Sequence, residues 1–435
     1  MHFPNIKRKQ EQGVAVFLVM ICLAVVLGIT AAGYMLLISS QHRLVSQSMN
    51  WNTALALAEA GVEEGLSQLN VGYGTNYIGS AMTNWTYTGS SFGPVTRTLT
   101  NGSYSAIIKF NGSTPTIICT GYAAVSYNLP SVKRIIQVDT TNYSPYMAAM
   151  TARFGVTFSG SGMTTDSYDS ADTNHSINGM YNAATRLATG DVASMYGPVQ
   201  IQNAQIHGKL KIGATAAWDI GNGFVGDLAW STPGQIQAGW FQNDLNATFK
   251  DVDPPFAFGA PVVPVNLGTN TYILGSGDYY VNSDLVLQNN ETMFINGNVR
   301  LYVTGNFTMK STSGTFISIV PGGSLKVYIG RPGGAAVAGA FTQVNNTGFA
   351  GAFQVYGLNT LTSLTWNGNS AFVGTIYAPY ADYVMGGGGS TDFDFQGAAT
   401  VRSVNLNGHF NFHYDQNLAR NQKEAGFAVI SWREL

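Results

Sequence analysis

The sequence predicts an α+β N-terminal module, made of one long helix and a small antiparallel sheet, followed by a large, mostly β domain. Residues 14–38 contain no charged side chain. Residues 52–70 keep the apolar spacing of a helix, and many short strands broken by Gly and Asn follow. These patterns predict a leader at 1–13, the helix at 14–70, the small sheet at 71–145, the large β domain at 146–415 and a C-terminal cap at 416–435.

The first half of the helix is long enough to span a membrane. Roughly 25 residues at ~1.5 Å per residue extend about 37 Å, which exceeds the ~30 Å hydrocarbon core. The basic residues Lys7 to Lys9 precede this segment and Arg43 follows it, so the short N-terminus is predicted to stay in the cytoplasm and the remainder to be exported. A signal peptide cleaved near residues 31–33 is the alternative, although the apolar stretch is longer than a usual signal-peptide core.

The second half of the helix is predicted to pack on protein. Its polar residues, including Glu59 and Glu63, lie opposite an apolar stripe. Gly61 lies inside this half, where it costs about 1 kcal/mol relative to Ala, and close packing could offset that cost. The apolar stripe consists of Leu55, Ala58, Val62, Leu66 and Leu69.

Two motifs in this helix, EQGVAVFL at residues 11–18 and LAEAGVE at residues 57–63, resemble type IV minor pilins of the PilX type, which are related to the K-type pseudopilins. The resemblance implies that a prepilin peptidase cleaves after Gly13 and leaves Val14 as the mature, methylated N-terminus. It also implies that the helix, from Val14 to Leu69 and including Leu18, is the assembly interface with other pilins or pseudopilins. Most major pilins carry Glu where this chain has Leu18, which resembles the subunits at a fibre tip.

The small sheet is predicted from four short strands at residues 95–99, 104–110, 116–120 and 133–138. Their order resembles the sheet of the same pilin family. The resemblance therefore implies a protein of the bacterial inner membrane that later moves to the pilus or cell surface, with its C-terminal domain outside the cytoplasm.

The large β domain is predicted to be a right-handed parallel β-helix. Residues 298–305 and 324–331 align so that their inward aliphatic residues coincide and Arg300 lies over Lys326. Such a repeat is typical of stacked solenoid coils. The alternative is a β-sandwich or jelly roll, which uses the same alternation. Motifs at residues 166–170, 412–415 and 431–435 resemble an uncharacterised β-rich domain that is often joined to PilX-type N-termini.

Candidate chemical sites are weak. Asp392 and Asp394 alternate with aromatic residues on one strand, as in a carbohydrate-cleaving β-helix enzyme or a Ca²⁺ site, but a solvated face over an aromatic core explains the pattern as well. Asp166 and Asp169 are weak candidates for Ca²⁺ ligands, because their segment lacks the Gly and Glu of an EF-hand. The preferred interpretation is that both are polar residues at the protein surface. The sequence predicts no catalytic residue and no cofactor, with Ca²⁺ as an open candidate, so the protein is not expected to be an enzyme.

One further strand places His409, Asn411, His413 and Asp415 on the face opposite its aromatic residues. The two His residues would lie about 13 Å apart, too far to share one metal ion. A structural role is therefore predicted for them.

The predicted partners are other pilins or pseudopilins, the prepilin peptidase and the inner membrane. A net charge of −2 gives no reason to expect nucleic acid. Surface glycans are a further candidate, since outward tyrosines could stack on sugar rings. These tyrosines are Tyr302, Tyr328, Tyr377 and Tyr380.

The function predicted from the sequence is a minor pilin or pseudopilin-like structural subunit of a type IV pilus or a related secretion filament. The predicted position is the tip, with the large β domain displayed for assembly or surface adhesion. The alternative is a membrane-anchored β-helix protein that binds or cleaves carbohydrate. The sequence does not separate an extended pilus from a type II secretion pseudopilus.

Overall fold

The computed structural model describes residues 7–71, 85–111, 114–124, 132–142, 144–160, 162–247, 249–266, 270–310, 314–368, 370–387, 393–408, 410–421 and 427–435. The chain forms two compact units: unit 1 comprises residues 1–142 and 426–435, and unit 2 comprises residues 143–425. Unit 2 is therefore an insertion in the sequence of unit 1. Residues 1–6 of the predicted leader lie outside the described residues.

Unit 1 contains a single long helix and an antiparallel sheet. The helix begins at Lys7, within the predicted leader, and is continuous to Val71. The sheet has five strands in the order β1-β2-β3-β4-β30. The elements are α1 (Lys7–Val71), β1 (Ser91–Leu99), β2 (Gly102–Asn111), β3 (Thr114–Ala123), β4 (Val132–Asn142) and β30 (Phe427–Glu434).

The C-terminal strand β30 corrects one prediction. It pairs antiparallel with β4, with Phe427 opposite Asn142 and Glu434 opposite Ile136. Phe427, the first residue of β30, also binds Asn70 of α1. The Asn70 side chain accepts a hydrogen bond from Phe427 N at 2.7 Å and donates one to Phe427 O at 3.3 Å. The prediction that residues 416–435 cap the large β domain is wrong for this strand, because β30 pairs its backbone with the edge of β4 in unit 1.

Unit 2 is mostly β. Its first block, up to residue 242, contains β5 (Met150–Ala152), β6 (Val156–Phe158), β7 (Thr164–Tyr168), β8 (Val192–Ser194), β9 (Val199–Gln200), β10 (Gln205–His207), β11 (Leu210–Ile212), β12 (Trp218–Asp219), β13 (Phe224–Gly226), β14 (Gln235–Ile236) and β15 (Phe241–Gln242). A short 3-10 turn occurs at Ala183–Thr185.

The second block of unit 2 begins at residue 265. It contains β16 (Val265–Asn266), β17 (Asn270–Val281), β18 (Leu285–Leu287), β19 (Thr292–Val303), β20 (Phe307–Met309), β21 (Phe316–Ile319), β22 (Ser324–Ile329), β23 (Val337–Phe341), β24 (Val344–Asn346), β25 (Phe353–Gly357), β26 (Leu361–Trp366), β27 (Phe372–Gly387), β28 (Phe393–Gly408), β29 (Phe410–Asp415) and α2 (Asn417–Asn421). A second 3-10 turn occurs at Ala350–Ala352.

The strands of unit 2 pair in parallel across successive coils. The alignment predicted from the sequence is the observed register: Val299 lies opposite Leu325, Arg300 opposite Lys326 and Tyr302 opposite Tyr328. Among the pairings of named strands in the described part of unit 2, only β16 with β17 is antiparallel. Parallel pairing is consistent with the predicted solenoid and differs from the antiparallel strands of a sandwich or jelly roll.

The two blocks stack in an order that differs from the chain order. One parallel ladder runs β17, β19, β22, β25, β27, β28 and then β5, β8, β11, β15. The chain therefore enters unit 2 in the middle of the stack, builds outward to β15 and resumes at the opposite end. We call the junction of β28 and β29 with β5, β6 and β7 the seam.

The segment that joins the two blocks, residues 243–264, runs back along the outside of the stack. Leu245 N donates to Ile212 O in the first block, and Ala260 N donates to Asp278 O in the second block. Between them, Phe256 packs against Tyr302 with ring centroids 5.9 Å apart. The segment thus bridges coils from one end of the stack to the other.

Candidate functional site

The exposed half of α1 is the first candidate site. Almost every residue from Val14 to Trp51 is exposed, including large apolar side chains. By length and composition, the helix is long and apolar enough to cross a membrane. An apolar surface of this extent requires lipid or protein to cover it.

The predicted assembly residues differ in how far their side chains are exposed. Leu18 is exposed, as an intermolecular contact requires, and Leu55 and Leu66 are half-buried. Three others, Ala58, Val62 and Leu69, are 0% exposed because the sheet of unit 1 covers them. The prediction that the assembly interface extends to Leu69 is wrong for these three, since they pack within their own subunit.

Small residues bring the second half of α1 close to the sheet. A Cβ added to Gly121 of β3 would lie 2.1 Å from Ala54 O, and one added to Gly61 would lie 2.2 Å from Cys119 Sγ. The close packing that the sequence suggested at Gly61 is therefore present. A carbon atom cannot approach an oxygen or a sulfur atom so closely, so a larger residue at either position would require its neighbours to move.

An ion pair that the sequence did not reveal joins α1 to the sheet. Glu64 Oε1 accepts from Arg97 Nη2 at 2.8 Å, and Glu64 Oε2 accepts from Tyr104 Oη at 2.7 Å. Burial and the neighbouring carboxylate raise the pKa of Tyr104 to about 12. This contact could not be predicted from local sequence pattern, because Glu64 lies more than 30 residues from Arg97 and Tyr104.

The second candidate site lies at the seam of unit 2, around His413. Its Nδ1 lies 2.5 Å from Asp166 Oδ1, and its Nε2 lies 3.2 Å from Asp394 Oδ1. His413 and Asp394 belong to the second block, whereas Asp166 belongs to the first. The structure thus brings two of the predicted carboxylates to one imidazole, while Asp392 and His409 lie outside the described residues.

The loop between β7 and β8 covers this imidazole. The Tyr181 ring stacks on His413 with centroids 3.5 Å apart, and Tyr181 Oη donates to Asp166 Oδ2 at 2.8 Å. Arg186 Nη1 lies 3.4 Å from the same oxygen. Asp166 is 0% and His413 is 3% exposed, so the expectation that Asp166 decorates the surface is wrong.

Electrostatics favour the charged form of His413. Burial lowers the pKa of His413, but the carboxylates of Asp166 and Asp394 outweigh burial and raise that pKa above its ordinary value. Asp415 lies two residues along the same strand and is also buried, which raises the pKa of its carboxyl. Its Oδ1 accepts from Ser170 N at 3.0 Å and from Asn417 N at 3.1 Å.

The candidate Ca²⁺ ligands have other partners. Arg420 Nη2 lies 2.5 and 2.6 Å from the two oxygens of Asp169, and Asp166 is held by His413, Tyr181 and Arg186. A guanidinium beside a carboxylate repels a divalent cation. Among the described residues, no group of three or more His, Cys, Asp or Glu side chains is arranged to hold a metal ion.

The outward tyrosines form a row that the joining segment partly covers. Tyr302 and Tyr377 are 4% and 7% exposed. Tyr377 Oη donates to Lys250 O at 2.9 Å, and Tyr380 Oη donates to Asp251 Oδ1 at 2.5 Å. Tyr328 stacks on Tyr356 of the next coil, with centroids 4.8 Å apart. The prediction that these rings are free to stack on sugars is wrong for Tyr302 and Tyr377.

Comparisons with known proteins find similarity to a family model and to a solved pilin structure. A family model described as a domain of unknown function (DUF7305) matches residues 259–421, which is less than half of the chain. The crystal structure of the competence-associated pilin ComZ from Thermus thermophilus is similar at 11% identity, over 89% of this chain and 97% of that chain, with a TM-score of 0.26. A score at this level does not establish a shared fold. No curated protein matches the chain.

Proposed function

We propose that this protein is a pilin-like structural subunit of a type IV pilus or a related secretion filament. The division of α1 carries the proposal: its first half exposes apolar side chains from Val14 to Trp51, whereas its second half is buried by the sheet of its own subunit. A helix of this kind can be anchored in a membrane by one half and held to a folded body by the other. In a filament, neighbouring subunits would cover the same apolar half.

The processing site belongs to the same proposal. A prepilin peptidase would cleave between Gly13 and Val14, and Val14 would be methylated. The resemblance to minor pilins of the PilX type supports this assignment. Leu18 would be the fifth residue of the mature chain, where most major pilins carry Glu, and this difference supports a position at the filament tip. The inner membrane would be the location before assembly and the cell surface afterwards, with unit 2 outside the cytoplasm.

Unit 2 is proposed to be a right-handed parallel β-helix without enzymatic activity, displayed for assembly or surface adhesion. The parallel ladder supports the solenoid, and the contacts of the buried Asp166 and the partly exposed Asp394 with His413 support a structural role for those carboxylates. A glycan is one candidate ligand, and the more accessible Tyr328 and Tyr380 remain candidates for contacting it.

Mass spectrometry of the N-terminal peptide tests the proposal. Filaments are sheared from cells that express the unmodified chain, and we expect a peptide that begins at Val14. Gly13→Leu should abolish that peptide and keep the protein in the membrane. The matched control Gly33→Leu should leave processing unchanged, because Gly33 has no neighbouring atom within 4 Å of an added Cβ. A mature chain that begins near residue 33, or at Met1, would contradict the proposal.

A further inference from the structure

The seam differs from every other junction of unit 2 because it joins the first coil of the chain to the last. Phe412 pairs with Thr165, His413 with Asp166 and Asp415 with Tyr168, in parallel register. His413 and Asp166 are 247 residues apart in sequence. No short connection within unit 2 joins these two coils, so contacts across the seam hold them together inside the unit.

Polar contacts across the seam are concentrated at this place. Besides His413 and Asp166, Asn417 Nδ2 donates to Ser170 Oγ at 2.9 Å, and Gln416 Nε2 donates to Thr189 Oγ1 at 2.7 Å. Each of these bonds joins the end of unit 2 to its beginning. A buried carboxylate and a buried imidazole are the most costly groups to leave unpaired if the seam opens or its charge changes.

The charges around His413 balance only when the imidazole is protonated. His413 and Arg186 then face the carboxylates of Asp166 and Asp394. When the imidazole loses its proton, Arg186 is the remaining positive charge of the cluster beside the two carboxylates, and the Arg186 side chain is 34% exposed. Tyr181 remains neutral over the ring, since burial and Asp166 raise the pKa of its hydroxyl.

Two other carboxyl groups lie near the cluster. Asp415 Oδ1 accepts backbone hydrogen bonds from Ser170 and Asn417, and burial raises the pKa of the Asp415 carboxyl. Asp169 is paired with Arg420. Among the groups that contact one another at His413, the charge balance depends on the proton of the imidazole.

We propose that the cluster around His413 is a pH-dependent latch that closes the seam of unit 2 and is locked while the imidazole carries its proton. The direction follows from linkage. Because the folded protein holds the proton more tightly than an opened seam does, the stabilisation is complete below the ordinary imidazole pKa of about 6.5 and is lost as the pH rises through the raised value. The latch would operate whether or not the protein enters a filament.

Hydrogen exchange measured by mass spectrometry on the full chain in detergent tests the latch. Between about pH 5.5 and about pH 8.5, after correction for the intrinsic exchange rate, the protection of β5 to β7 and of β28 and β29 should fall. The fall should approach about tenfold per pH unit above the ordinary imidazole pKa, as for release of one proton. Protection of β19 and β22, which lie far from the seam along the ladder, should stay constant.

Three variants sharpen the test. His413→Gln should leave the seam poorly protected at every pH and remove the pH dependence. The matched control His207→Gln changes an imidazole that is 4% exposed and contacts Asp227 O at 2.9 Å, and it should keep the pH dependence of the seam. Asp394→Asn, at a side chain that is 39% exposed, should give a smaller fall that is complete at a lower pH.

Two results would overturn the latch. The first is a seam whose protection does not change with pH in the unmodified chain. The second is an unchanged pH dependence in His413→Gln. If His413→Gln does not fold, Asp394→Asn decides the question, because a fall identical to that of the unmodified chain would mean that the charge balance does not control the seam.

Discussion

The contact between helix and sheet in unit 1 differs from the contacts between successive coils in unit 2. In unit 1, the helix meets the sheet through residues without bulk, and Cβ atoms added to Gly61 or Gly121 would collide with neighbouring atoms. In unit 2, large rings repeat at equivalent positions of successive coils. The Phe372 and Phe395 rings stack with centroids 4.4 Å apart, and those of Phe395 and Phe412 stack 4.0 Å apart. The contact between helix and sheet in unit 1 should therefore be sensitive to added volume, and the stacked rings of unit 2 to removed volume.

The largest effect is expected from Phe395→Ala in unit 2. Phe395 is 0% exposed and lies between two stacked rings, so truncation should lower the free energy of unfolding of unit 2 by about 3–5 kcal/mol. Urea unfolding followed by hydrogen exchange of β27 to β29 measures it. Phe258→Ala is the control, since Phe258 is 87% exposed and its loss should change stability by less than about 0.5 kcal/mol. Equal effects of the two substitutions would contradict the stacked core.

The next effect is expected from Gly121→Ala in unit 1. The added methyl group would lie 2.1 Å from Ala54 O and 2.6 Å from Ala58 N, so the helix must move away from β3. We expect a cost of about 1–3 kcal/mol, measured as faster exchange in the second half of α1 and in β3. Gly275→Ala, in a strand of unit 2 with no atom within 4 Å of the added Cβ, is the control and should be nearly neutral. Unchanged protection of α1 would show that close approach is not required.

A smaller effect is expected where the joining segment contacts the stack. Phe256 packs on Tyr302, and the Arg300 guanidinium lies 5.3 Å from the Phe256 ring centroid. Phe256→Ala should therefore cost about 1–2 kcal/mol and expose residues 249–260 to proteolysis. Phe258→Ala again serves as the matched control on the same segment. Similar cleavage in both variants would mean that the segment is not anchored through Phe256.

Local pattern predicted much of the fold. The apolar run and the helical stripe of α1, the four short strands of the small sheet and the register of Arg300 over Lys326 all follow from residues close in sequence. Each depends on periodicity within a segment or on two adjacent coils. Physical signals of this range are visible in a single sequence.

Long-range pairing could not be predicted in the same way. Every coil of unit 2 presents the same alternation of inward and outward residues, so the pattern does not show that β28 pairs with β5. The same limit applies to β30, whose alternation fits any free strand edge. The seam brings Asp166, Asp394 and His413 together, so their cluster could not be predicted from the sequence either.

We propose that assembly depends on unit 1 and that unit 2 is an inserted passenger. Asn142 and Phe427 lie opposite each other in adjacent antiparallel strands, so a short turn can replace residues 143–426 and leave the β4–β30 pairing intact. The direct measurement is the amount of this shortened protein in sheared filaments, relative to the full chain. We predict that it is processed at Val14 and enters filaments at a comparable level. A shortened protein that is folded, inserted in the membrane and processed, yet absent from filaments, would contradict the account.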